Sequence, residues 1–390
     1  MSRVTTELRL PQPDGTLTTY RVGPARPFPR PQGPIRCRIA LAAAHVVADP
    51  LAEHVPGGPA HLDWEATLAY RRHLWSWGLG VAEAMDTAQR GMGLDWPAAA
   101  ELIRRTIREA RAAGGVAVCG VGTDHLAPGS ARSLEDVERA YLEQCEVVEA
   151  EGGRAVLMAS RELARIATGP DDYLQVYRRV LSQLSRPAIV HWLGAMFDPA
   201  LEGYWGASDL DAATETCLGV LAESRVHVDG VKVSLLDAGR EVSMRRRLPP
   251  GVRMYTGDDF NFPELIEGDG ERHSDALLGV FDAIAPAASA ALQALDAGDT
   301  ARYREILEPT VAFGRHVFQV PTYYYKTGLV FLAYLNGHQS HFRMVGAQES
   351  MRSVPHLARL FVLADRARLL EDPELACHRM RRLLALAGVE

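Results

Sequence analysis

Lysine is almost missing from this chain. Of 42 basic residues, 40 are arginine, and only Lys232 and Lys326 are lysine. A chain that relies on Arg for nearly all its positive charge keeps Lys where a guanidinium will not serve. What Lys adds is an amine that can shed its proton when buried and attack a carbonyl. Other shortages narrow the field. The five cysteines are odd in number, widely spaced and form no CxxC pair. That argues against a disulfide framework or a cysteine zinc site and for the reduced thiols of a cytoplasmic protein. There is no apolar leader and no run long enough to span a bilayer, so no membrane role is expected. A net charge of −7 removes nucleic acid and acidic membranes as expected partners. The short Arg245–Arg247 run reads as a solvated face. A GxGxxG fingerprint after the first strand is also missing, which argues against a doubly wound dinucleotide fold.

What is present is a regular alternation. Residues 5–22 alternate apolar and polar around Pro13-Asp14-Gly15, as a β-hairpin does. A Pro-rich connector follows from Pro24 to Pro34. Strand-then-helix units then repeat: strands at Cys37–Val47, Gly80–Met85, Gly115–Gly122, Arg154–Ser160 and Pro187–Trp192, with helices at Asp63–Trp77, Asp95–Ala113, Ser133–Glu151, Asp171–Leu184 and Asp209–Ala222. A sixth strand carries Lys232, a seventh is Arg253–Thr256, and an eighth is expected within Ala276–Ile284. Asn261–His273 is rich in Gly and charge and makes a weak seventh helix. Eight such units over about 250 residues predict an α/β fold, a (β/α)8 TIM barrel. Beyond Pro286 only helical periodicity remains, at Ala287–Ala297, Thr300–Phe318, Tyr323–Asn336 and Val354–Ala387. The expected organisation is a hairpin and connector over 1–35, a barrel over 36–286 and a helical extension over 287–390.

Reacting groups of such barrels gather at the C-terminal strand ends. Those positions hold His45, then Glu83, Asp86 and Thr87, then Asp124 and His125. Ser160 and Arg161, His191 and Trp192, Lys232 and Ser234, and Asp258 and Asp259 complete the rim. Lys232 lies in the β-branched stretch Val228-Asp229-Gly230-Val231-Lys232-Val233-Ser234, which reads as a buried strand where desolvation favours the neutral amine. His191, one residue inside its strand end, suits a proton shuttle near neutral pH. The bland alternatives are a strand Lys paired with a carboxylate and a satisfied core histidine. Asp86 and Asp124 read equally well as turn or cap residues.

The Asp229-Gly230-Val231-Lys232 strand, with Tyr255-Thr256-Gly257-Asp258-Asp259 downstream, resembles the dihydrodipicolinate synthase/N-acetylneuraminate lyase family. Asp49-Pro50, Gly115–Thr123, Ala297-Gly298-Asp299, Leu307-Glu308-Pro309 and Pro321–Lys326 are similar to other family segments, so the resemblance covers about residues 36–370. It implies that Lys232 is a Schiff-base lysine and that the chain is a homo-oligomer, a dimer or tetramer. Three positions depart from the pattern. The carboxylate-binding GTTGE loop is Met85-Asp86-Thr87-Ala88-Gln89 here, the strand-five tyrosine is His191, and the tyrosine pair after strand four is Ser160 and Arg161. These argue against dihydrodipicolinate synthesis itself.

The leading expectation is a class I aldolase or related lyase acting on a small keto-acid or sugar-derived carbonyl compound. Lys232 and His191 are its catalytic candidates, and no cofactor beyond the imine is needed. Thr87, Asp86, Glu83, His45, His125, Ser234, Asp258 and Asp259 are the candidates for holding substrate. Lys326 is expected to be structural, seated over aromatic faces or against a carboxylate. One alternative is a divalent-metal lyase or isomerase liganded by His45, Glu83, Asp86, His125 and His191, though no HxH or HExxH spacing supports it. The other is a sugar-acid binding protein without catalysis.

Overall fold

The computed structural model describes residues 6–85 and 90–389. The chain opens with a hairpin, β1 (Glu7–Pro11) against β2 (Leu17–Arg21), paired antiparallel. Leu8 and Leu10 are buried while Glu7 and Arg9 face out, the period-two pattern of a half-buried ribbon. Eight units follow. Strands β3 (Ala40–Ala43), β4 (Gly80–Glu83), β5 (Ala117–Val121) and β6 (Ala155–Leu157) alternate with helices α1 (Trp64–Ser76), α2 (Trp96–Ala113) and α3 (Leu134–Ala150). After β6 come α4 (Arg161–Ile166) and α5 (Pro170–Leu181), then β7 (Ala188–Leu193) and α6 (Leu210–Glu223). β8 (Val228–Ser234), α7 (Ala238–Arg247), β9 (Arg253–Thr256), α8 (Phe262–Glu267), β10 (Asp275–Leu278) and α9 (Phe281–Asp296) finish the cycle. The strands close a barrel in the order β10-β3-β4-β5-β6-β7-β8-β9, every pair parallel. The fold is the expected (β/α)8 TIM barrel with an N-terminal hairpin.

Local signals explain the helix starts. Asp63, Asp95 and Asp209 each accept a backbone N–H three residues on, and Ser133 forms a capping box with Asp136. α2 stops at Gly114, whose φ of 67° puts it in the left-handed region.

Two sequence expectations are refined. The eighth strand is Asp275–Leu278, earlier than the apolar run Ala276–Ile284 suggested, because that run contains a switch from strand to helix. Gly279 makes the switch: a Cβ there would lie 2.8 Å from both the Phe318 and Tyr325 rings. α9 therefore starts at Phe281 and runs through Pro286. Secondly, Val354–Ala387 is two helices, α12 (Val354–Arg366) and α13 (Pro373–Leu386). Arg368 takes a φ of 62°, and Asp372 caps a new helix whose first residue is proline. The aromatic helix α11 (Tyr325–Leu335), which follows α10 (Thr300–Val317), is buried on every residue within the chain itself. No helix among the described residues is long and apolar enough to cross a membrane.

Inside the barrel, Leu41, Ala43, Ala82, Val118, Val156, Ile189, Tyr255 and Leu277 form a dry plug. The Tyr255 hydroxyl donates to Asp229 Oδ2 at 2.6 Å, near the start of β8. Because successive strand residues alternate faces, Ile189 in the plug fixes His191 as inward-pointing. Tyr255 likewise sets the parity of Gly257.

Candidate active site

Above the plug, the inward positions of neighbouring strands turn polar. β7 and β8 pair in register with His191 opposite Lys232 and Leu193 opposite Ser234. The two histidine- and lysine-bearing strands thus bring Sequence-distant residues 191 and 232 side by side at the C-terminal end. His191 is fully buried, and its Nε2 lies 3.0 Å from the Ser234 hydroxyl. Lys232 is 7% exposed. Gly257, just past β9, makes room for both: a Cβ there would stand 2.1 Å from Ser234 Oγ and 2.8 Å from Lys232 Cε. The glycine is required by space, since backbone and side chains crowd it from β8.

Asp259 supplies the acid of the cluster. It is buried, and its Oδ1 accepts the Val280 N–H at 2.7 Å. Burial pushes its carboxyl up to about 7, with Asp258 adding to the rise, while the Val280 hydrogen bond and the charges of Lys232 and Lys326 restrain it. A carboxyl poised near neutrality and facing both lysines can give or take a proton there.

Lys326 approaches from α11. Its Nζ donates to the Ala43 carbonyl and to Asp282 Oδ2, the latter at 3.0 Å. Asp282, in the first turn of α9, also takes the His45 backbone N–H at 3.2 Å and faces His45 Nδ1 at 3.0 Å. Burial opposes the Asp282 charge, yet Lys326 and His45 outweigh it and hold the carboxyl well below its ordinary value. Burial also draws the Lys326 amine and the His45 imidazole downward, against the pull of Asp282. Lys326 additionally stands over the Tyr325 ring at 5.3 Å.

A cleft of about 460 Å³ opens at this end of the barrel, bordered by Arg90, Arg161, Leu193, Phe197, Tyr323 and Tyr324. That volume suits a small ligand. The α11–α12 connection folds over the mouth, where a Cβ on Gly93 would meet the Val345 carbonyl oxygen at 2.7 Å.

A family model described as "Protein of unknown function (DUF993)" matches residues 8–389. The chain belongs to the DUF993 family. No curated protein matches it in sequence. Solved structures similar to this DUF993 chain include a putative dihydrodipicolinate synthetase from Pseudomonas aeruginosa, with 16% identity and a TM-score of 0.63 over 85% of this chain and 99% of the other. The dihydrodipicolinate synthase of Thermotoga maritima gives 14% and 0.63, covering 86% of this chain and all of its own, 100%. A prophage protein of the dihydrodipicolinic acid synthase family from E. coli K12, solved with pyruvate, gives 15% and 0.63, covering 85% and 99%. At these identities the likeness is one of fold.

The DUF993 structure sorts the remaining candidates. Ser234 and Asp259 stand with Lys232 and His191, Ser234 by its contact with His191 and Asp259 by the pull of the Lys232 charge. His45 instead faces Asp282 at 3.0 Å and the Tyr70 ring of α1 at 4.3 Å. Glu83 does not. Its inward neighbour is Ala82, so Glu83 points outward under the helices, where Arg71 grips both its oxygens at 2.9 Å and Thr106 donates at 2.6 Å. Asp258 caps its own turn, accepting the N–H groups of Phe260 and Asn261 at 2.9 and 3.0 Å. His125 is tied to Glu143 at 3.0 Å and Gln144 at 2.8 Å, over α3. Asp86 and Thr87 lie outside the described residues. Two residues of the DUF993 site escaped the sequence reading. Asp282 was hidden inside an apolar run, and its signal was its place three residues after Gly279. Arg90 borders the cleft and forks onto Asp124 at 2.7 and 2.9 Å. As for metal ligands, the His, Cys, Asp or Glu group whose donor atoms converge among the described residues is His73, His338 and Glu371. It includes none of the expected ligands, and Tyr70 stands between it and His45, its ring centroid 4.3 Å from that of His45 and 5.5 Å from that of His73.

Proposed function

We propose that this protein is a class I lyase that captures a small carbonyl substrate as an imine on Lys232. The observation that supports this best is the placement of a buried, inward Lys232 beside the His191–Ser234 pair at the C-terminal mouth of the barrel. The amine nitrogen adds to the carbonyl carbon, and a proton passes to the oxygen. A second proton, delivered to that hydroxyl by a neighbouring acid, lets it leave as water and leaves a protonated imine. Its positive nitrogen accepts the electron pair of the neighbouring bond that breaks, either C–C in cleavage or C–H on the way to dehydration. Each direction needs a proton moved near neutral pH. His191 with the Ser234 hydroxyl, and the nearby Asp259 carboxyl, are the groups we assign to that transfer. The buried surroundings strengthen these charges. The cleft of about 460 Å³ reaches Leu193, next to this cluster in the barrel, without being lined by Lys232 itself, and has the volume of a keto-acid or short sugar acid.

The test is reductive trapping. Pyruvate and simple 2-oxo and 3-oxo sugar acids are incubated with the protein, and borohydride is added. Peptide mass mapping is expected to place the reduced adduct on Lys232 and leave Lys326 unmodified. Lys232→Arg is expected to abolish adduct and turnover, because guanidinium stays protonated. A substrate turned over at full rate by Lys232→Ala, or activity lost to a chelator with no adduct formed, refutes the reading.

A further inference from the structure

The barrel's first helix meets the C-terminal extension through three residues far apart in sequence: His73, His338 and Glu371. Each offers a ligand atom, and these atoms lie within 4.8 Å of one another. His338 Nε2 is already 3.0 Å from Glu371 Oε1. The His73 and His338 rings sit with centroids 4.2 Å apart, inclined at 51°. Tyr70 brackets both, stacked on His73 at 5.5 Å and edge-on to His338 at 5.3 Å. The two loops that carry His338 and Glu371 are clamped by one residue. Asn336 donates to the Leu369 carbonyl at 2.8 Å and accepts the Glu371 N–H at 3.1 Å.

The backbone around this cluster also favours a cation. His73 is in the last turn of α1, His338 follows the C-cap of α11, and Glu371 follows α12. Of the three, His73 lies within a last helical turn, where the partial negative charge of a helix C-terminus favours a cation. Arg30 and Arg368 border the same cleft as Glu371, and the charge of Arg30 reaches both His73 and Glu371, so a bound cation works against it. Arg30 stacks on Trp77 at 4.2 Å and donates to Ser76 at 3.2 Å, and Arg368 stacks on Phe28 at 4.3 Å. Beside Glu371 a cleft of about 160 Å³ leaves room for water.

We propose that His73, His338 and Glu371 form a binding site for a borderline divalent transition cation, with Zn(II) the best match. Two imidazole nitrogens and one carboxylate oxygen are a donor set that such ions take, with water completing a tetrahedron. Closing the present spacing to coordination distance asks most of Glu371, the exposed member. The ion would pin the extension to α1 and so fix the cover over the barrel mouth. This reading is independent of the lyase chemistry at Lys232.

The test uses the full-length protein after dialysis against chelator. Titration with Zn(II), followed calorimetrically, is expected to show one equivalent bound and a raised thermal midpoint. Co(II) in its place is expected to give the visible d–d bands of a low-coordinate nitrogen-containing site. Changes beyond the ligands themselves cost roughly 10- to 100-fold in metal affinity, so His338→Gln and His73→Gln should each cost about 100-fold or more. Glu371→Gln keeps the shape and gives the same loss if a His variant fails to fold. His316→Gln, at the other stacked imidazole pair, His316 with His356 at 4.0 Å, should bind as wild type does. Absence of Co(II) bands in the wild type, or equal Zn(II) affinity in well-folded His338→Gln and Glu371→Gln, overturns the proposal and leaves a hydrogen-bonded clip.

Discussion

Glu241 carries a penalty that a single substitution should remove. It lies on α7, almost wholly enclosed against the turn that holds Asp258 and Asp259. Its Oε2 accepts the Thr256 hydroxyl at 2.9 Å and its Oε1 the Ser274 hydroxyl at 2.7 Å. Burial pushes its carboxyl from the ordinary 4.5 up to about 8, because the two hydroxyls and Arg245 do not replace the lost hydration. The unfolded chain releases this proton near 4.5, while the folded chain holds it to about 8. Between those values folding takes up a proton, so stability falls as pH rises; below 4.5 there is no loss, and above about 8 it is complete. At about 1.4 kcal/mol per pH unit, the full effect is about 5 kcal/mol. Glu241→Gln keeps the shape and loses the charge. One hydroxyl must turn to accept instead of donate, which costs about 1 kcal/mol. Urea unfolding at pH 5, 7 and 9 should therefore find the two proteins nearly equal at pH 5. At pH 9 the variant should be ahead by about 3–4 kcal/mol. A stability difference that stays flat from pH 5 to 9 would refute the reasoning.

The remaining expectations concern the barrel mouth. Gly257→Ala places a Cβ 2.1 Å from Ser234 Oγ and 2.8 Å from Lys232 Cε, so the lysine must shift. The expected loss is about 1–3 kcal/mol of stability from overpacking and on the order of 100-fold in turnover from misplacement, read by thermal melting and steady-state kinetics. Asp259→Asn should remove the limb near pH 7 from the pH–rate profile while leaving borohydride trapping on Lys232 intact. His191→Ala should still trap, with turnover down roughly 10²- to 10⁴-fold. Lys326→Ala leaves Asp282 buried with His45 as its remaining side-chain partner. A loss of about 3–5 kcal/mol in denaturant unfolding is expected, with the Lys232 adduct still forming; a well-folded variant that no longer traps would show that Lys326 does more than hold structure.

The barrel was legible because its signals are local. Asp95 with Pro97, Ser133 with Asp136 and the Pro13-Asp14-Gly15 turn are each complete within a few residues. Site membership was harder, because being at a strand end says nothing about which way a side chain points. Glu83 and Lys232 both stand at rim positions, but parity sends one out to Arg71 and the other into the barrel. Parity could be counted from the plug only once the strand boundaries were known. Asp282 was missed for a related reason: nine mostly apolar residues from 276 to 284 look like one strand, and only the crowding at Gly279 marks where helix begins. The His73, His338 and Glu371 cluster had no sequence signal. His73 is far from His338 and Glu371 in the sequence, and the three meet through the docking of the extension on α1.

The scarcity of lysine has two different causes in this structure. At Lys326 the ammonium reaches the Ala43 carbonyl and Asp282 in a space closed by His45 and Tyr325. A guanidinium would bring five donors to that space, and the Ala43 oxygen and the shared Asp282 carboxylate could not satisfy them all. A compact point charge fits where a planar fork would leave buried N–H groups unpaired, at about 1–3 kcal/mol each. At Lys232 the demand is different. The side chain passes the bare Cα of Gly257 and sits beside a serine–histidine pair and a carboxyl held near 7, groups that can move protons. An Arg there could supply charge but not a nucleophile. The first lysine is thus explained by packing and donor count alone, whereas the second stands where proton-moving groups have been assembled around it. Lys232 and Lys326 are equally rare in this sequence, and their surroundings are what distinguish them.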